Sequence, residues 1–116
     1  MNFNNYTTKS QETIQMAQQL AQGYGHNQIE NEHIFKALTQ VDENVLPFLL
    51  KKLNINSTII TQILEKQLES LPKVSGAELI LSREAGKTLN EAAIVAKNMN
   101  DDYVSIEHLI LAIFKS

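Results

Sequence analysis

Residues 83–113 read REAGKTLNEAAIVAKNMNDDYVSIEHLILAI, and residues 8–38 read TKSQETIQMAQQLAQGYGHNQIENEHIFKAL. Laid on each other without a gap at a constant offset of 75 residues, the two stretches agree at Thr13/Thr88, Ala17/Ala92, Ala21/Ala96, Glu32/Glu107, His33/His108 and Ala37/Ala112. Apolar character tracks as well, at Ile14/Leu89, Leu20/Val95, Ile29/Val104, Ile34/Leu109 and Leu38/Ile113. Those positions recur at helical spacing, so what is duplicated is a helical unit and not merely a composition.

Each copy divides into two helices. Thr7 and Ser82 carry the hydroxyl that an N-cap needs, and a first helix follows each. Its predicted buried stripe runs through 14, 17, 20, 21 and 24 in one copy and 89, 92, 95, 96 and 99 in the other, with alanines that let a neighbouring helix approach. After a polar turn, GYGHNQ or NMNDD, a second helix opens near Glu30 or Ser105. Glu32 and Glu107 then fall in a first turn, where the helix dipole favours an anion.

The segment between the copies supplies two further helices. ENVLPFLLKKLN carries Pro47 in its first turn, where a missing N–H costs little. NSTIITQILEKQLESLP has Ser57 as the expected cap, a face of Ile59, Ile60, Ile63, Leu64, Leu68 and Leu71, and Pro72 as its stop. PKVSGAELIL returns the chain as an irregular or extended loop. The fold predicted is one all-α domain over residues 1–116, with six helices. Its two pseudo-twofold hairpins, at about 7–40 and 82–115, are joined by the helical connection. The last helix runs into LAIFKS without a C-cap glycine or trailing proline, which predicts an excerpt of something longer.

Bulk properties exclude more than they assign. The 43% hydrophobic and 20% charged content is that of a globular protein, and a net charge of −3 with interspersed signs gives no footprint for nucleic acid. No apolar run approaches the ~20 residues of a membrane span, and MNFNNYTTKS has no signal-peptide pattern, so the expected compartment is the cytoplasm. With no cysteine there are no disulfides or thiolate metal sites. Gly86-Lys87-Thr88 resembles the end of a phosphate-binding loop, but Leu81 stands where the first glycine must be, and Ser82 reads as a cap. The repeated Glu-His pairs lack the i, i+4 spacing of a zinc helix, so His33 and His108 are expected to cap or pack. His26 lies in a turn and has no histidine counterpart, since Asp101 occupies its place in the second copy. No serine sits in a nucleophile elbow. These residues point to binding and not to catalysis, with no catalytic or metal residue expected.

The copies differ in one consistent direction. Gln19, Asn31, Lys36 and Thr39 of the first correspond to Ile94, Ile106, Leu111 and Phe114 of the second. The connecting helices and the core can cover that extra apolar surface, part of it can line a groove for an apolar peptide, or both can hold at once.

The doubling, together with YTTKSQE at the start, GHNQIENEHI in the first copy, LPKVSG at 71–76 and DDYVSIEHLILAI at the close, resembles the N-terminal domain of the Clp family of AAA+ unfoldases. The likeness covers essentially the whole chain, and LPKVSG favours the disaggregase branch. The resemblance implies a substrate-binding domain, monomeric in isolation, on a homohexameric ATPase whose ATP and Mg sites lie in absent downstream modules. Its partners would be unfolded or aggregated client proteins, with adaptor proteins as a further class. The alternative is an adaptor- or substrate-docking domain of the protease-partnered ClpC and ClpA type. In the family, positions matching Thr7, Asp101 and Glu107 are implicated in substrate handling, and the repeat makes Ser82 and Glu32 the equivalents of Thr7 and Glu107. In ClpC-like relatives such paired pockets bind modified arginine. One departure is Asn31, where disaggregase relatives often carry proline.

Overall fold

A computed structural model describes residues 2–116. Thr7 and Ser82 are the N-caps the sequence predicts: each adopts extended backbone, and its hydroxyl accepts the N–H of Ser10 or Ala85. Helix α1 (Thr8–Tyr24) and helix α5 (Arg83–Asn98) follow. Both end in the same way. The N–H groups of His26 and Asp101 reach back to the carbonyls of Ala21 and Ala96, each at 2.9 Å. The residue before each lies in the left-handed region, Gly25 at φ 77° and Asn100 at φ 59°. Glycine and asparagine are the residues that tolerate this closure best.

Helix α2 (Asn31–Val41) packs against α1, and α6 (Ile106–Lys115) packs against α5. Helices α3 (Val45–Lys52) and α4 (Ser57–Ser70) form the connection. Among the described residues there are thus six helices, arranged as the repeat predicts. The core joins both copies: Ile14, Ala17, Ala21, Ile34 and Leu38 meet Leu89, Ala92, Ala96, Leu109 and Ile110, with Leu46 and Leu50 of α3 beneath. Alanines at the helix crossings leave room for backbones to approach, and burial of the leucines and isoleucines supplies the driving force.

Two short pairings tie the copies together. Strand β1 (Gln28–Ile29) runs parallel to β2 (Ile80–Leu81), and Tyr6 bridges Val104 in the same sense. These are one interaction made twice, since each residue preceding α1 or α5 pairs with the residue preceding the other copy's second helix. The stretch read as an irregular or extended loop ends in a two-residue strand, too short for any periodicity to show.

Three other expectations are corrected. Asn56, not Ser57, caps α4, because its side-chain oxygen accepts from both Thr58 and Ile59. On α4 only Leu64 and Leu68 are buried, and Ile59 and Ile63 face outward because little but α2 packs against this helix. Met99, placed on the α5 stripe, is exposed at the helix end.

Candidate functional site

Each copy carries the same polar unit where its turn meets its second helix. The backbone N–H of Glu30 donates to His33 Nδ1, and that of Ser105 donates to His108 Nδ1, both at 2.8 Å. That fixes the proton on Nε2 in each ring. His108 Nε2 then donates to Asp101 Oδ2 at 2.8 Å, while His33 Nε2 lies 2.8 Å from His26 Nδ1. The recurrent histidines are capping groups, as their spacing suggests, and the residue paired across the repeat with Asp101 does the same job in the first copy.

The two units differ in electrostatics. Burial, followed by the neighbouring His26, pushes His33 down to about 4. Burial and then Lys73 lower His26, whose Nε2 is packed near the Leu68 backbone without a well-formed hydrogen bond. Tyr24 stacks on the His26 ring at 5.4 Å between centroids.

Thr7, Asp101 and Glu107 converge around one backbone segment. Thr7 N–H donates to the Val104 carbonyl at 3.0 Å, Asp101 is held by His108, and Ser105 Oγ donates to the Glu107 carboxylate at 2.9 Å. Asp101 lines a shallow cleft with Asn5, Ala96 and Asp102. In the first copy, Ser82 N–H donates to the Ile29 carbonyl at 3.1 Å, but the Ser82 side chain is buried and committed to capping α5. Glu32 lies with Glu30, Glu84, Lys87 and Thr88 on the wall of a cleft of about 690 Å³ between the starts of α2 and α5. Glu30 stands here where the second copy has Ser105, and it has no hydroxyl to donate to Glu32. Lys87 and Thr88 of the phosphate-loop look-alike enter this wall as ordinary helix residues. Only the folded contact of α2 with α5 could reveal that.

Of the four apolar substitutions in the second copy, Ile106 joins the core, whereas Ile94, Leu111 and Phe114 remain exposed. Met99 and Tyr103 are exposed as well. Core coverage therefore holds for Ile106, and Phe114, though partly exposed, lies against Phe35 of the first copy with ring centroids 6.4 Å apart. Among the described residues no three metal-ligating side chains gather.

Residues 5–116 match the family described as the Clp repeat (R) N-terminal domain. The chain belongs to this family. As a Clp N-terminal domain it is 47% identical over 113 residues to the chaperone protein ClpB of Bacteroides thetaiotaomicron, and 43% identical to that of Porphyromonas gingivalis. Each alignment covers 97% of this chain and 13% of the relative, so the chain spans about an eighth of those proteins. The fold also matches the Hsp104 N-terminal domain of Candida albicans (TM-score 0.86, 23% identity, covering 95% of this chain and 73% of that one). It matches the N-terminal domain of the ClpV1 ATPase of E. coli at a TM-score of 0.89, with 21% identity and coverage of 98% and 70%. No helix of this Clp domain among the described residues is long and apolar enough to cross a membrane.

Proposed function

We propose that this domain is the client-holding head of a ClpB-type disaggregase, which engages unfolded or aggregated proteins for threading by downstream AAA+ modules. ATP and Mg act in those modules, and the domain itself binds without catalysing. The observation that carries this reading is the exposure of the apolar residues Ile94, Leu111 and Phe114 on the same hairpin as Asp101 and Glu107. Apolar surface with few directional contacts suits a binder that must accept many sequences. Thr7, Asp101 and Glu107 supply polar contacts to the backbone or basic groups of the client, and Ser82 acts as a positioning cap. Affinity is micromolar or weaker, so that clients pass onward, and six copies on a hexameric ring provide avidity.

NMR titration of the domain with a permanently unfolded model protein tests this. Shifts should concentrate around Thr7, Asp101, Glu107 and Leu111; shifts scattered evenly over the surface would overturn the reading. The cleft at Glu32 supports a second reading, the ClpC and ClpA type of docking. There Glu32 would pair a guanidinium and Lys87 an anionic modification on it, as for modified arginine. A stoichiometric folded partner in a pull-down would favour the adaptor role, and a spread of denatured proteins the client role.

A further inference from the structure

Helix α4 shows what one hairpin of this fold can hold. It lies across the first copy with Leu64 and Leu68 buried, and Tyr24 Oη donates to Glu65 Oε2 at 2.7 Å. Lys36 ion-pairs with the same carboxylate. With the segment that follows it, α4 leaves His26 only 7% exposed; Val74 N–H donates to the Gly25 carbonyl at 2.9 Å.

The second copy has no such cover. The residues equivalent to Tyr24, His26 and Lys36 are Met99, Asp101 and Leu111. Met99 is 53% exposed, Leu111 42%, and the Asp101 side chain 48%. Where α4 finds a phenol and an ammonium for its glutamate, the second copy offers a thioether and an aliphatic side chain. Where α4 meets a histidine, it offers a carboxylate, with Asp102 and Glu107 nearby in the chain. The seat is repeated, opened, and changed in chemistry from polar to apolar with an acidic rim.

We infer that this second seat takes an amphipathic helix in the way the first takes α4. Two adjacent aliphatic residues and a third three positions later would stand for Leu64, Glu65 and Leu68. A lysine or arginine on the flank would face Asp101. This deepens the client-holding reading and rests on it for the choice of face, adding that the bound segment is helical and basic-flanked. Apolar burial supplies attraction, and the acidic rim selects charge and register.

The probe is a synthetic peptide of residues 57–70 carrying Glu65→Leu and Glu69→Lys, titrated into the 116-residue chain. Amide shifts should centre on Met99, Asp101 and Leu111, and circular dichroism should show the bound peptide to be helical. Leu111→Lys, an exposed change that leaves the core intact, should weaken binding by about tenfold or more. A scrambled isomer with period-two alternation should bind at least about tenfold more weakly. Equal binding of the isomer would overturn the helical seat while leaving client holding intact. Peptide shifts on Tyr24 and Lys36, from displacement of α4, would overturn it as well. So would concentration-dependent shifts of Met99 and Leu111 without peptide, which would assign the face to a second copy of the chain. Peptide binding at Met99 without any response to unfolded protein would keep the seat and reject the client reading. Silence to both would reject the two together.

Discussion

At the residue scale the two capping histidines are a natural experiment in partner chemistry. Both rings accept a backbone N–H at Nδ1, so a second proton on either ring must break that cap. His33 is buried against another imidazole and is held at about 4, below the usual 6.5. As pH falls from about 6.5, the unfolded chain therefore takes up this proton before the folded one does. Stability contributed by His33 is complete above pH 6.5 and is lost progressively down to about pH 4; below that, both states are protonated and the loss from this group stops. Denaturation midpoints measured across that window should fall with pH. His26→Asp, which copies the second unit, replaces the neighbouring imidazole with an anion and should raise the His33 value in an NMR titration. An unchanged value would refute the assigned role of His26. Ser82→Ala should cost about 1 kcal/mol in urea unfolding, the usual loss for a cap whose hydroxyl serves one backbone N–H.

At the element scale, α4 is lightly anchored for a helix of 14 residues. Two buried leucines and the Tyr24–Lys36–Glu65 cluster hold it, and Ile59 and Ile63 face outward. Leu68→Ala, at a fully buried position, should destabilise by about 3 kcal/mol. Hydrogen exchange should show residues 57–70 losing protection before the α1–α2 hairpin does. Helix α3 depends on Asp42, a buried residue whose carboxylate accepts the N–H groups of Asn44, Val45 and Leu46 at 3.0, 3.0 and 2.6 Å. Asp42→Ala strands those donors, and a loss of about 2 kcal/mol with faster exchange at 44–46 is expected. The hairpins and their caps could be read from sequence because duplication doubles the signal: an accidental stripe does not recur at Ile14 and Leu89, or a cap at Thr7 and Ser82. α4 occurs once, and its five apolar residues spread over a wide arc, so periodicity alone could not say which side has a neighbour. Asp42 resembles any loop aspartate until the start of α3 folds back over it.

At the scale of the whole molecule, duplication is also entanglement. Tyr6 precedes α1 yet pairs with Val104, and Leu81 precedes α5 yet pairs with Ile29, so each hairpin borrows the other's leading residue. The core is shared in the same way, and Ile106 replaces Asn31 to extend it on one side only. This explains why the site was only partly legible. Residue types at Thr7, Asp101 and Glu107 were visible, but their convergence on Val104 depends on a pairing between residues 98 positions apart. Likewise, Leu111 is exposed and Ile106 is buried for reasons set by the neighbouring copy, which local pattern does not encode. The entanglement makes a sharper prediction than symmetry alone. A fragment of residues 1–76 retains α1 to α4 but loses Val104 and Leu81 as partners, and with them the α5–α6 half of the core. A fragment of residues 77–116 has two helices with nothing to bury against. Neither should show cooperative unfolding alone, since short helices owe their stability to tertiary packing. Mixed in equal amounts they should regain helical circular dichroism and a single cooperative transition, weakened by the entropy of association. Cooperative melting of 1–76 alone would mean that the hairpins are merely adjacent, and that the second copy was added to a domain already complete.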